Sequence, residues 1–338
     1  MLKAGKEALL TITPHIRSCR AKSRHVRATK NVNESASMTP LPQQAILVVN
    51  AMSRRGEAAF DEVRDKLIAA GIELIEAHAV HEPDQMDKTV KDAIARAPMV
   101  IVGGGDGSLS SNVDFFLGED TVFAVIPLGT ANSFAGSLGI PKDIDSAIAV
   151  IANGERKRID LGCIDGDFFV NAAAIGLSPL IAESVPHNLK RYLGKIGYLI
   201  WAVRIAFKFR PFRMSIEHDD GRREKVWATE ARIANGSHHG GVELVESQTI
   251  DSGEIVIQAV TGTSLWGLAW SWFATLFRLK ARHGTTCEFR GRRMILKTRP
   301  RLNISIDGEV AARTPVTVSV ARGAIEVAAP REGQFVVK

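Results

Sequence analysis

The stretch Met99-Val100-Ile101-Val102-Gly103-Gly104-Gly105-Asp106-Gly107-Ser108 joins a short apolar run to three successive glycines and an acid. An apolar run of this length predicts a strand buried on both faces, as in parallel sheets. Glycine lets the backbone turn tightly and approach an anion closely. Residues 108–117 then read as a helix. A strand, a glycine turn and a helix in that order make a phosphate cradle, because turn amides and a helix N-terminus both favour negative charge. Asp106 adds a carboxylate within reach of a bound phosphate, suited to Mg2+. The competing reading is a tight turn without a ligand; three glycines and an acid weigh against it. The spacing is neither G-x-G-x-x-G nor G-x-x-x-x-G-K-[ST], so neither a dinucleotide fold nor a P-loop enzyme is indicated.

The sequence on either side repeats the same alternation. Ala45–Val49 predicts a buried strand, followed by a loop at Asn50–Gly56. A helix follows with Phe60, Val63 and Leu67 on one face, stopped at Gly71. Next come a strand at 72–78 and a helix at 84–96, closed by Pro98. Beyond the glycine turn, Val122–Ile126 predicts a fourth strand and 131–138 and 143–152 predict helices. This order implies an α/β domain with an open parallel sheet covered by helices. After about residue 160 the pattern changes. Strands are expected at 168–175, 212–217, 226–234, 254–260, 285–297, 302–306 and 315–328, with helices near 188–208 and 264–280. The resulting division is a flexible basic tail at 1–43, a nucleotide-binding domain at 44–160 and a mainly antiparallel β domain at 161–338. The last strand is free to return to the first domain.

Of the 338 residues, 45% are apolar and 24% charged, ordinary for a globular chain. No apolar run reaches the ~18 residues of a membrane span. The net charge of +6 sits in the tail: residues 1–37 hold eight Lys/Arg and two Asp/Glu, leaving 35 of each sign elsewhere. The basic balance therefore does not argue for nucleic acid as a partner. Two other readings of the tail are a transit-like or membrane-surface segment, and translation from Met38. The three cysteines, Cys19, Cys163 and Cys287, are far apart and form no C-x-x-C, which argues against a disulfide scaffold or a zinc site and fits a reducing compartment.

Two more motifs carry chemistry. Pro127-Leu128-Gly129-Thr130-Ala131-Asn132-Ser133-Phe134-Ala135 follows the next strand, so it faces the same crevice. Thr130 and Asn132 offer hydrogen bonds to phosphate or ribose; the bland reading is a proline turn with an Asn cap. Ser305-Ile306-Asp307-Gly308-Glu309 contains Asp-Gly, a hairpin signal. Glu309, just past that turn, is a general-base candidate if the hairpin reaches the crevice. His238-His239 point to opposite faces of a strand, which disfavours joint metal binding.

Together these motifs resemble the diacylglycerol-kinase-type lipid kinase superfamily, whose pattern is G-G-D-G-T, then P-x-G-T-x-N-D-F-A, then a late D-G-E. Here they read Gly104–Ser108, Pro127–Ala135 and Asp307–Glu309. Asn50–Gly56 is similar to the N-P-x-S-G nucleotide loop. Asp160-Leu161-Gly162 and the stretch from Phe169 through Asn171 to Gly176 resemble the domain crossover. Asn235 with Gly240-Gly241, then Asp251-Ser252-Gly253, resembles the G-G-G…D-D-G stretch. The departures are Ala51 for Pro, Ser108 for Thr, Ser133 for Asp and Ser252 for Asp, and no threonine matches around His78–His81. The likeness covers roughly residues 44–338. It implies a first domain related to those of NAD kinases and phosphofructokinases, which share the G-G-D-G turn.

The resemblance implies ATP and Mg2+. Asn50, Ser53, Arg54, Arg55 and Gly56, with Gly104, Gly105, Asp106, Gly107, Ser108, Leu109 and Ser110, would hold the nucleotide, joined by Gly129, Thr130 and Asn132. Asp106 would also meet the metal, and Asp251 would mark a second, structural metal. Glu309 would accept the proton of a lipid hydroxyl, diacylglycerol first. Such an enzyme is expected in the cytoplasm, peripheral to the inner face of the membrane. Trp266, Trp270, Phe273 and Phe277 share one helical face before Arg278 and Lys280, and a similar mix fills 189–212. Both segments, 264–280 and 189–212, suit a bilayer interface; both equally suit covering the β core. A homodimer is compatible with the sequence. Rival functions are a kinase of a soluble substrate and a catalytically weak lipid-binding regulator, the latter suggested by Ser133.

Overall fold

The chain's computed structural model describes residues 40–52, 54–177, 180, 210–236, 238–239, 242–243, 249–261, 286–306, 309–331 and 333–334, all within one compact unit, 38–338. The side chains of residues 54, 55, 83, 238, 239, 242, 243, 309 and 310 are not among those described. Residues 1–39, Ser53, Gly240, Gly241, Asp307, Gly308 and the expected helices near 188–208 and 264–280 lie outside the described residues.

The first lobe runs β1 (Gln44–Asn50), α1 (Arg54–Ala69), β2 (Glu73–Val80), α2 (Pro83–Ile94), β3 (Met99–Gly104), α3 (Asp106–Val113), a 3₁₀ turn (Asp114–Phe116), β4 (Val122–Pro127), α4 (Ser133–Ser137) and α5 (Ile144–Asn153). β4, β3, β1 and β2 lie side by side and parallel. Every residue of β3 and β4 is buried. That explains their unbroken apolar sequence, since helices cover both faces of such a sheet.

The second lobe runs β5 (Glu155–Ile164), β6 (Asp167–Phe169), β7 (Ala172–Gly176), β8 (Phe212–His218), β9 (Arg223–Ala234), β10 (His238–His239), β11 (Val242–Glu243), β12 (Ile255–Thr261), β13 (Thr286–Gly291), β14 (Arg293–Arg299), β15 (Asn303–Ile306), β16 (Glu309–Arg313) and β17 (Val316–Ala329). Its pairings are antiparallel, with alternate residues buried in a core of their own around Phe169, Phe212, Met214, Leu296 and Val318. The α/β lobe and the mainly antiparallel β lobe are thus both present.

β17 joins the two lobes. Its first half pairs with β14, Glu326 and Val327 lie beside Val122 and Phe123 of β4, and β5 runs antiparallel along most of its length. One hydrogen-bonded path therefore runs from β16 in the second lobe to β2 in the first.

Several elements differ from the sequence reading. The helix expected at 108–117 starts at Asp106, because extended Gly105 (φ −89°, ψ 176°) acts as the N-cap and its carbonyl accepts the Leu109 amide at 3.1 Å. The strand expected at 285–297 is two strands that separate at Arg292: β13 pairs with β12, whereas β14 pairs with β8 and β17. The strand expected at 168–175 breaks at Val170-Asn171, where the Asn171 carbonyl leaves the ladder to accept the amides of Asn235 and Gly236. β5 has no counterpart in the sequence reading. Its run Arg156-Lys157-Arg158 looks like a loop, yet Glu326 pairs with both arginines and Asp251 with Lys157.

Candidate active site

Two strand-end turns meet at the carboxyl edge of the parallel sheet. One leaves β3 through Gly104-Gly105-Asp106, the other leaves β4 through Pro127-Leu128-Gly129. The Leu128 amide donates to the Gly104 carbonyl at 2.9 Å, so the turns stay in register past the end of the strands. A Cβ built on Gly129 would lie 2.7 Å from the Gly105 Cα, and one on Gly104 would lie 2.8 Å from the Ser108 Cβ. Residues 103–107 all keep negative φ. The glycines are therefore needed for clearance, not for left-handed backbone. A Cβ on Gly107 would meet nothing within 4 Å, so this side of the turn is open.

Asp106 sits in the first turn of α3, where the helix dipole favours a carboxylate. Its Oδ1 accepts the Phe134 amide at 3.1 Å, across 28 residues. That amide belongs to the first turn of α4, so Asp106 does for α4 what a local N-cap normally does. The Phe134 ring is anchored in the core: its centroid is 5.8 Å from that of Phe123, which stacks on Phe116 at 4.5 Å. Burial of each ring contributes about 1.5–3 kcal/mol, which fixes the amide that orients Asp106. The other carboxylate oxygen makes no hydrogen bond among the described residues.

Asn132 closes the second turn. It is buried in the left-handed conformation (φ 51°, ψ 47°), which asparagine tolerates better than most residues. Its Oδ1 accepts the Gly129 amide at 2.8 Å, and its Nδ2 donates to the Gly129 carbonyl at 3.0 Å. Asn132 is thus spent on shaping the turn, whereas Thr130 is exposed. Asn50, at the end of β1, reaches into the same region. Its Nδ2 donates to the Ser108 hydroxyl at 2.6 Å and its Oδ1 accepts the Met52 amide at 3.0 Å. Asn50, Gly104–Ser108, Gly129 and Asn132 are therefore brought together. Gly56 lies in α1 and is buried, Leu109 is a buried core residue of α3, and Ser110 follows it on that helix.

Glu309 opens β16, its backbone opposite Ile306 of β15. Ile306 in turn pairs with Ala173 near the start of β7. At that end of β7, Asn171 accepts the Asn235 and Gly236 amides, and a Cβ on Gly236 would lie 2.6 Å from Ser137 Oγ of α4. The topology thus sets the hairpin at the end of the second-lobe sheet that abuts α4, the helix whose first turn holds Asp106.

Asp251 is exposed and pairs with Lys157 at 2.8 Å; against the opposing desolvation, hydrogen bonds from Lys157 and Thr249 hold its carboxyl below the usual range. No cluster of three or more metal-ligating side chains occurs among the described residues. Asp106 offers a single free carboxylate oxygen, which fits an ion of the Mg2+ type, bound through one or two carboxylates plus phosphate and water. The link from Phe134 to Asp106 and the role of Asp160 as a fastener were missed in the sequence. Asp160 is buried on β5 and accepts the amides of Gly253 at 2.6 Å and Gly323 at 2.8 Å. The D-L-G signal at 160–162 marked the place without its purpose.

Comparison with known proteins matches residues 44–164 to the diacylglycerol kinase catalytic domain and residues 172–329 to the YegS C-terminal NAD kinase beta sandwich-like domain. A Chromohalobacter salexigens protein named "Probable lipid kinase YegS-like" is 34% identical over 46% of this chain and 51% of its own length. A Bacillus subtilis diacylglycerol kinase is 33% identical over 47% of this chain and 53% of its own length. The aligned part thus spans about half the length of these relatives. The solved structure of a diacylglycerol kinase from Bacillus anthracis, 19% identical, superposes with a TM-score of 0.68 over 87% of this chain and 99% of that one, a likeness of fold. The first lobe is thus a diacylglycerol kinase catalytic domain and the second a YegS C-terminal NAD kinase beta sandwich-like domain.

Proposed function

We propose that this protein transfers the γ-phosphoryl group of ATP to the hydroxyl of a membrane lipid, diacylglycerol first. The observation that carries the reading is Asp106. Its carboxylate is pinned at the mouth of an open helix N-terminus, with one oxygen held by the Phe134 amide and the other free. The amides of Asp106, Gly107 and Ser108 precede the first one in α3 to find a backbone acceptor, Leu109, and they suit phosphate oxygens. Ser53–Gly56 would close over the nucleotide from the end of β1. A magnesium ion bound at Asp106 would neutralise charge on the β- and γ-phosphates.

In this scheme the lipid oxygen forms a new bond to the γ-phosphorus while the bond to the bridging oxygen of ADP breaks. The hydroxyl proton passes to the Glu309 carboxylate. Positioning and charge, not covalent chemistry, supply the acceleration. The matching family and relatives named as lipid kinases support the substrate class.

The Asp106 carboxylate has both a structural and a chemical part, and two variants separate them. Asp106→Asn retains an oxygen to accept from Phe134 but loses the charge. It is expected to keep the wild-type melting temperature and lose at least ~100-fold in turnover of diacylglycerol with MgATP. Asp106→Ala is expected to lose both. Glu309→Gln, in the same assay, should fall by a similar factor. Turnover by Asp106→Asn and Glu309→Gln within a few-fold of wild type would sink the scheme.

A further inference from the structure

β8, β9 and β14 form a three-stranded stretch whose inner residues, Phe212, Met214, Ile216, Met294 and Leu296, fill the second core. The outer face alternates with them. Cross-strand register places Trp227, Arg213 and Arg299 in one row, Lys225, Ser215 and Lys297 in the next, and Arg223, Glu217 and Ile295 in a third. These rows span roughly 10 Å across the strands and 13 Å along them, from ordinary strand spacings. Five cations thus face one carboxylate. Glu217 pairs with Arg223 at 3.0 Å and Lys297 at 3.3 Å, whereas Arg213, Lys225 and Arg299 make no ion pair among the described residues. Trp227 is 53% exposed, the one aromatic among the large exposed apolar side chains described.

This charge is local. From residue 38 onward the chain holds 35 basic and 35 acidic residues, so overall basicity does not account for the patch. An open concavity lined by Arg213, Lys225, Lys297 and Arg299, with one exposed amphipathic indole beside it, matches an anionic interface: cations meet headgroup phosphates and the ring enters the headgroup layer. Nucleic acid would more often be met by an element shaped to enter a groove.

We infer that the outer face of β8, β9 and β14, centred on Trp227, Arg213, Lys225 and Arg299, docks the protein on an anionic lipid bilayer. The inference rests on the lipid-kinase reading for its choice of a bilayer as partner. This surface is distinct from residues 189–212 and 264–280.

The test uses full-length protein and phosphatidylcholine vesicles, with and without phosphatidylserine, in a co-sedimentation assay. Wild type should bind the anionic vesicles and leave the neutral ones. Lys225→Glu/Arg299→Glu should weaken that binding by more than ~25-fold, about fivefold per lost cation. Trp227→Ala should weaken it several-fold while retaining salt sensitivity. Circular dichroism should be unchanged, since all three side chains are exposed. Equal binding by wild type and variants, or no binding by wild type, overturns the proposal. So does an effect of the variants confined to binding of a DNA oligonucleotide. Phosphorylation of short-chain diacylglycerol in detergent micelles is run in parallel and should be the same in all variants. Its loss in wild type would count against the kinase reading, whereas vesicle binding speaks only to the surface.

Discussion

At the scale of single residues, the glycine run was legible because its composition admits few other uses. What each glycine is for was not. The sequence suggests a tight turn and a close approach to an anion; in the structure residues 103–107 keep negative φ, and Gly103, Gly104 and Gly105 lack side chains where Val49, Leu128, Ser108 and Gly129 crowd them. Gly129 is the tightest of these, since a Cβ there would meet backbone that cannot rotate away. Gly129→Ala is expected to separate the two turns, to cost ~2 kcal/mol in urea unfolding as overpacking does, and to reduce ATP affinity more than tenfold by isothermal titration calorimetry. Unchanged affinity would show that the turns bind independently. The bond from Phe134 to Asp106 was not legible, because it exists only once Phe134, Phe123 and Phe116 have packed. Asn132 reads in the sequence either as a ligand for phosphate or ribose or as the cap of a proline turn, and its side chain bonds both the amide and the carbonyl of Gly129.

At the scale of elements, apolar runs bounded by glycine or proline gave β1, β3 and β4 to within two residues. Mixed strands were harder. β5 was missed because three consecutive basic residues look solvated until Glu326 and Asp251 arrive from distant positions. The division between β13 and β14 depends on which partner each strand finds, which local sequence does not encode. Helix α5 was legible and has a local start signal: Asp143 accepts the Ser146 amide at 2.8 Å. That amide bond holds the Asp143 carboxyl below its ordinary range. A carboxyl depressed in the folded state stabilises above its unfolded value of ~3.9 and loses that contribution as pH falls through its folded value. Asp143→Ala should therefore cost ~1 kcal/mol near neutral pH. That difference should shrink as pH falls below ~3.9 in urea titrations of both proteins. A difference independent of pH would assign the effect to helix propensity instead.

At the scale of the whole molecule, fold class and the order of lobes followed from the change in pattern near residue 160. The fastening between lobes did not. The Asp160 carboxylate on β5 is clasped by the amides of Gly253, before β12, and Gly323, in the irregular middle of β17. Both glycines are left-handed (φ 70° and 52°), so each position admits other residues only with strain. The Asp160 carbonyl also accepts Asn235 Nδ2 at 2.8 Å. Asp160→Asn would turn an amide NH2 toward one of two donors. The expected result is a loss of ~3 kcal/mol, the order of two bonds to a charged acceptor. Because β5 and β17 serve both lobes, calorimetry should show one transition moved to lower temperature. Wild-type stability in this variant would mean that the clasp holds nothing.

The return of β17 to β4 has a consequence for how the protein is made. A nascent chain that has just delivered Ile164 already holds every residue of the two glycine turns, yet β4 still lacks the neighbour that covers its edge. That neighbour, Glu326–Val327, emerges from the ribosome some 160 residues later. At synthesis rates of ~5–20 residues per second, the first lobe waits on the order of ten seconds or more with the apolar strand β4 open along one side. A ribosome stalled anywhere in the second lobe would thus present an adhesive edge to other chains, and the last stretch of translation is what removes it.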